Sequence, residues 1–355
     1  MRLLNFARNF PENIKMHICV AGNHMGLLED FRKYNVPIYV VPIARPYIEL
    51  SRVLRIYRYI VANSIEVVNV FDLKGVVIFA FIRMFSKMSV KGVYHNVASL
   101  DLNTKKQNIL LRMLLKFFDA SVCNSIASRR ELEKYMPDGK STVIYNGVDI
   151  DFFRRSETRR NELRRRLLFA DNEAVLGIIA NFRAQKNHGF LLNAFAILTR
   201  KYDHLKLLCV GGGILLEEME KKAQELKLGN KVTFTGYSDD VIGYLNAIDV
   251  VVLTSTNEGL PNVLLEAMSM EIPVISSSVG GCPEIIDDSE NGMLFASNNM
   301  EEFIRAVELF VRDRSLVDDM KAKARETVCN KFSLATMIEG YERFYKQICH
   351  KTPLQ

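Results

Sequence analysis

The chain has 355 residues, 48% apolar and 25% charged, the make-up of a soluble globular protein long enough for two full cores. No apolar run approaches the roughly 18 residues of a membrane span, and the six cysteines are scattered without a C-x-x-C pair, which excludes a disulfide framework and a zinc site. The net charge of +6 is uneven: residues 1–150 hold 21 Lys+Arg against 12 Asp+Glu, the rest 26 against 29, so an anionic partner is expected at the N-terminal half.

Residues 2–10 place Leu3, Phe6, Ala7 and Phe10 on a helical period, and Pro11-Glu12-Asn13 turns the chain into a strand at 14–20. The N-terminus lacks the unbroken apolar core of a signal peptide, so a cytoplasmic location is expected. Further strands are predicted at 36–41, 66–71, 90–95, 119–123 and 141–145. Helices are predicted near 24–34, 47–62, 74–86, 104–118 and 125–135. Such alternation indicates parallel α/β units. A doubly wound domain normally opens with a strand, a glycine-rich turn and a helix. Here the opening strand and turn are expected to be missing, which would leave a chain extended upstream by them more stable and more active.

Three features of this half bear on chemistry. His95, in KGVYHN, ends a strand at the sheet edge where such folds bind ligands. Asp72 ends another strand and suits a helix N-cap. The helix at 104–118 mixes Ile109, Leu110 and Met113 with Lys105, Lys106, Arg112 and Lys116, and Arg52, Arg55 and Arg58 fall near one face of their own helix. Such helices lie on an anionic membrane or pack on a core with a solvated charged side.

IYNGVDIDFF at 144–153 reads as an interdomain segment, and the arginine-rich run at 154–166 as a solvated face. Asp149 and Asp151 form a D-x-D, too short a match to argue for a metal. A second α/β series starts at Ala174–Ile179. NFRAQKNH follows that strand and brings Arg183 and Lys186, a fork and a point charge that suit diphosphate oxygens. Then come strand 205–210, Gly211-Gly212-Gly213 with a helix from Ile214, and KVTFTGY at 231–237.

The densest stretch is 249–284, DVVVLTSTNEGLPNVLLEAMSMEIPVISSSVGGCPE. Val250–Leu253 has the β-branched character of a buried parallel strand. Pro261 suits the first position of the helix that follows, and Pro283 opens another after strand Val274–Ser276. Two helix N-termini at one sheet edge make an anion site. Glu258 in the loop and Glu266 within the helix border it, and carboxylates accept hydrogen bonds from sugar hydroxyls. The amides of Asn262, Val263 and Leu264 are the predicted phosphate cradle. Taken alone, the two glutamates also read as a loop charge and an exposed helix residue.

The stretch resembles glycosyltransferase family 4, retaining nucleotide-sugar transferases of the GT-B fold, whose E-x7-E motif is matched by Glu258 and Glu266. The resemblance implies an α/β chain of two Rossmann-type domains facing a cleft. They are expected at 1–149 and 150–332, with a final helix in 333–355 crossing back to the first. It implies that Glu258 contacts the donor sugar, Glu266 the ribose, Arg183 and Lys186 the diphosphate, and Gly236 and Tyr237 the base. Gly259, Leu260, Pro261, Asn262, Val263 and Leu264 would line the nucleotide sugar, and His95 would lie beside the donor sugar. Glu271 departs from the glycine usual in the family at that place.

The function implied is sugar transfer from a nucleoside diphosphate donor, UDP-linked by preference, to a glycan or lipid-linked acceptor in cell-surface polysaccharide or glycoconjugate synthesis. No cofactor, metal or nucleic acid is expected, and a peripheral position on an anionic membrane is. Two alternatives stay open: a sugar-nucleotide epimerase on the same fold, and a catalytically impaired nucleotide-sugar-binding subunit.

Overall fold

The computed structural model describes residues 14–21, 31–41, 50–86, 89–96, 105–136 and 139–350, except the side chains of residues 21, 105, 106, 314 and 350. The helix expected at 2–10, the turn at 11–13 and residues 24–30 of the helix expected at 24–34 lie outside them. The chain forms two compact units, one of residues 1–146 and 334–355, the other of 147–333.

In the first unit β1 (Ile18–Ala21) pairs in parallel with β2 (Ile38–Val41). Then follow α1 (Leu50–Ala62), β3 (Val67–Val70), α2 (Leu73–Phe85), β4 (Lys91–Asn96) and α3 (Lys105–Leu114). β5 (Ala120–Cys123), α4 (Ile126–Leu132) and β6 (Ser141–Val143) complete the series. β3 to β6 make a separate four-stranded parallel sheet. Among the described residues, no strand bonds to the second edge of β1 or of β3.

Asp72 caps α2, its Oδ1 accepting the Gly75 amide at 2.6 Å. Arg55 and Arg58 are exposed, but Arg52 is buried, so the three do not share a solvated face. The last helix, which becomes α13 (Leu334–His350) in chain order, packs Leu334, Met337, Tyr341, Phe344 and Ile348 on Val93, Val122 and Ile144 of this unit. Residues three and four apart fall on one helical stripe, which is why this face was readable.

The second unit begins with α5 (Glu157–Arg166). β7 (Ala174–Ile179), α6 (His188–Leu198), β8 (Leu205–Val210), α7 (Leu216–Glu225) and β9 (Val232–Phe234) come after it. Next are α8 (Val241–Ala247), β10 (Val250–Leu253), α9 (Asn262–Ser269), β11 (Val274–Ser277), α10 (Cys282–Ile285), β12 (Met293–Phe295), α11 (Met300–Arg312) and α12 (Arg314–Lys331). The six strands form one parallel sheet in the order β12-β11-β10-β7-β8-β9. β8 and β10 are buried throughout, as strands covered by helices on both faces must be.

The arginine run is not simply a solvated face. Arg164 is 3% exposed and donates to Asp249 Oδ2 at 3.0 Å and to the carbonyls of Ala170 and Glu173 at 2.8 and 2.6 Å. Arg160 reaches Asp249 Oδ1 at 2.6 Å, and Asp249 Oδ2 also accepts the Val175 amide at 2.8 Å. These charge-assisted bonds staple α5 to the ends at which β7 and β10 begin.

Candidate functional site

Parallel strands place their outgoing loops at one sheet edge, and backbone bonds tie those of the second unit together. The Thr256 amide donates to Gln185 O at 2.8 Å, Gly281 to Gly259 O at 2.8 Å, Phe182 to Gly212 O at 2.9 Å and Gly211 to Gly236 O at 2.9 Å. Gly280 sits at φ +52°, and a Cβ there would lie 1.8 Å from the Glu258 carbonyl oxygen. The loop after β11 therefore presses directly on the loop that carries Glu258.

Lys186 and Glu258 come together: Nζ lies 2.5 Å from Oε1, in a half-buried pair whose glutamate is 9% exposed. The same oxygen accepts the Ser255 hydroxyl at 2.6 Å. Thr254 Oγ1 donates to the Lys186 carbonyl at 3.0 Å, which fixes the lysine loop against the end of β10. Arg183 is exposed at the start of the same 3₁₀ turn, and its guanidinium has no partner among the described residues. His188 opens α6 behind this turn, its ring stacked 4.0 Å from Phe182. Burial first, then the Lys186 charge, pulls its imidazole down to about 4, so it is neutral at pH 7.

The helix start differs from the sequence expectation. Pro261 is the cap residue of α9, with φ −76° and ψ 113°, and Asn262 is the first helical residue. The Leu264 amide donates to Pro261 O at 3.2 Å, so it is not part of an open cradle, whereas the Val263 amide has no protein partner among the described residues. Asn262 and Val263 are half-buried and Leu260, Pro261 and Leu264 are buried, while Gly259 is half-buried in the loop. Glu266 is half-buried, its carboxylate without a hydrogen bond or ion pair among the described residues, and burial pushes it up to about 7. The second helix, α10, starts at Cys282, one residue before Pro283, and has only four residues.

Gly236 takes φ +69°, and Tyr237 beyond it is 74% exposed, its hydroxyl bonded to Asp239. Asp149 spends Oδ1 on the amides of Asp151 and Phe152 at 3.2 and 3.0 Å, and Asp151 pairs with Arg154, so the D-x-D serves the local turn. In the first unit, His95 is 2% exposed at the end of β4. Its Nε2 lies 2.8 Å from Asn69 Oδ1, and its ring stacks on Phe71 at 4.4 Å and near Tyr341 at 6.0 Å.

Ser255 and Ser277 escaped the sequence reading. The available signal was hydroxyls at strand ends, one of them three residues before Glu258, but strand-end serines are too common to single out.

Residues 1–152 match the model of Glycosyltransferase Family 4, and residues 159–327 that of the group 1 glycosyl transferases. The chain belongs to glycosyltransferase family 4. An uncharacterised glycosyltransferase of Haemophilus influenzae is 27% identical over 66% of this family 4 chain and 65% of its own length. The N-acetyl-alpha-D-glucosaminyl L-malate synthase of Bacillus anthracis is 30% identical over 61% and 56%. The matches thus span less than two thirds of those relatives. Among solved structures, the Anabaena protein HepE in complex with UDP has a TM-score of 0.84 at 21% identity, covering 97% of this chain and 95% of that one. At that identity the likeness speaks for the GT-B fold.

Proposed function

We propose that this family 4 member is a retaining, metal-independent glycosyltransferase that takes a sugar from a nucleoside diphosphate donor, UDP-linked by preference, to a glycan or lipid-linked acceptor. Its place would be the synthesis of cell-surface polysaccharide or glycoconjugate, on the cytoplasmic face of a membrane. The observation that carries this reading is the Lys186–Glu258 pair at the mouth of the loop leading into α9, with the Glu266 carboxylate within that helix free of hydrogen bonds and ion pairs among the described residues. One cation for phosphate and two carboxylates for hydroxyls, on either side of a helix N-terminus, match the polarity of a nucleotide sugar. The UDP bound by the structurally similar Anabaena protein favours the uridine base.

In this mechanism the bond between the anomeric carbon and the diphosphate oxygen breaks as the acceptor hydroxyl oxygen attacks from the same face, its proton passing to the departing diphosphate oxygen. Negative charge grows on the departing diphosphate. Arg183, Lys186 and the N-terminus of α9 neutralise it. Glu258 orients the sugar through its hydroxyls, and Glu266 holds the ribose. Lys186 then divides its charge between Glu258 and the diphosphate. His95 is the first unit's candidate residue, and His95→Ala is expected to lower turnover with nucleotide affinity unchanged.

A thermal-shift panel of nucleoside diphosphates and nucleotide sugars tests the reading. A ligand at 100 times its dissociation constant adds about 2.7 kcal/mol of stability, so UDP should raise the melting temperature clearly. Failure of every nucleoside diphosphate to do so would overturn the proposal. Chelator should leave both binding and transfer intact, and a strict divalent-metal requirement would refute the metal-independent part.

A further inference from the structure

We propose that Ser255 is a positioning residue whose hydroxyl aims Glu258 at the donor sugar while the Ser277 hydroxyl anchors its backbone carbonyl; this rests on the donor-site reading above. Ser255 and Ser277 are both 0% exposed. Ser277, the last residue of β11, donates its hydroxyl to the Ser255 carbonyl at 2.6 Å, and Ser255 donates its own to Glu258 Oε1 at 2.6 Å. A buried hydroxyl is costly unless bonded, and both spend their donors along this one path.

The carboxylate is gripped on one side only. Ser255 and Lys186 both reach Oε1, and Oε2 has no partner among the described residues. One oxygen is thus pinned while the other is left to accept a hydroxyl. Ser255 and Lys186 respond differently to an arriving nucleotide sugar. A diphosphate competes for the Lys186 charge, because a phosphate oxygen attracts an ammonium as strongly as a carboxylate does. It offers no comparable reason for the buried Ser255 to turn. Ser255 is therefore the group that keeps Glu258 in place while Lys186 moves toward phosphate. Gly280, pressed against the Glu258 carbonyl, fixes the backbone beneath, so the side-chain direction is what remains for Ser255 to set.

Calorimetric affinities decide the matter, with UDP set against UDP-glucose and UDP-N-acetylglucosamine, and GDP against GDP-mannose. The quantity of interest is the gain in affinity that the sugar adds to the plain diphosphate. Ser255→Ala should hold plain diphosphate affinity within about twofold and lower the sugar gain about tenfold, as the loss of a hydrogen bond to a charged group does. Glu258→Gln should lower it similarly, and the double variant should be no worse than Glu258→Gln alone, since the serine acts through the glutamate. Ser277→Ala, which keeps the Ser255 hydroxyl but frees its anchor, should show a smaller loss of the same kind. This variant carries the test if Ser255→Ala does not fold. Losses that add in the double variant, equal loss of plain and sugar-bearing ligands, or no loss at all would overturn the assignment. A wild-type chain that binds plain diphosphate without any gain from a sugar also overturns it, yet leaves the nucleotide site standing. A wild-type chain that binds no diphosphate removes the donor-site reading itself and the proposal with it.

Discussion

Glu258 and Glu266 are eight residues apart in the chain but live in different electrostatic surroundings. Glu258 has a lysine and a hydroxyl on one oxygen, and Glu266 has neither among the described residues. Burial lifts Glu266 to about 7, so near neutral pH it is only part-ionised in the empty protein. Ribose hydroxyls donate to the carboxylate and not to a neutral acid's hydroxyl, so nucleotide binding selects the ionised form. Diphosphate affinity should therefore fall as pH drops through 7, by about tenfold between pH 8 and pH 6, and calorimetry across that range checks it. Glu266→Gln should weaken binding at pH 8 and flatten the dependence. Linkage gives the sign for stability. The folded value is raised above the unfolded one, so this carboxyl's contribution is fullest below about 4.5 and is lost as pH rises to about 7. The melting temperature of Glu266→Gln relative to wild type should accordingly increase from pH 5 to pH 8. A difference that stays constant would show that the carboxyl titrates normally.

Helix α9 shows how an element can be correct for its site and strained at its far end. Its C-terminus is a Schellman turn, with Glu271 bonding back to Met268 O at 3.1 Å and Ile272 to Ala267 O at 3.0 Å. The residue in the left-handed position is Glu271, at φ +58°, where glycine carries no Cβ penalty. An L side chain there costs about 1 kcal/mol, and the exposed 3.6 Å contact of Glu271 with Arg325 returns little. Glu271→Gly is expected to stabilise the second unit by up to about 1 kcal/mol, read as a rise of roughly 2–4 °C in melting temperature, with ligand affinity unchanged. Gly280→Ala should do the opposite, because its Cβ collides with the Glu258 carbonyl as well as adopting φ +52°. We expect a lower melt and a loss of nucleotide-sugar affinity larger than the loss for plain diphosphate. Equal losses would mean that the Glu258 loop absorbs the collision without moving its carboxylate.

At the scale of the whole molecule, the order of strands and helices was legible because buried parallel strands and one-sided helices leave different apolar periods in the chain. Glu258, Glu266, Arg183 and Lys186 could be singled out as candidates because they are spaced along single segments. What sequence could not supply were contacts between segments. Nothing in the run 154–166 announces that Arg160 and Arg164 turn inward to Asp249, nor in the helix of Arg52 that this one arginine of three is buried. The same limit bears on the membrane. Residues 1–150 carry 21 Lys+Arg against 12 Asp+Glu, so this half is basic by nine charges. Leu50 and Leu54 on α1, Met84 and Phe85 on α2, and Ile109, Leu110 and Met113 on α3 are exposed, alongside Arg55, Arg58 and Arg112. Arg52 is withdrawn, while Arg112 and Lys116 of the set that sequence reasoning assigned are exposed. Basic side chains would draw the protein to anionic lipid, and exposed apolar ones would add contact there. Each cation near such a surface contributes about 1 kcal/mol at physiological ionic strength, an attraction that falls off within a Debye length. The chain should sediment with vesicles containing phosphatidylserine, and about 1 M salt, where that length is about 3 Å, should release most of it. Arg55→Glu with Arg58→Glu should halve the bound fraction or more while nucleotide affinity, which the proposed function assigns to the other unit, stays put. Binding that ignores salt, or that is equal on neutral vesicles, would show that charge does not direct this surface to the membrane.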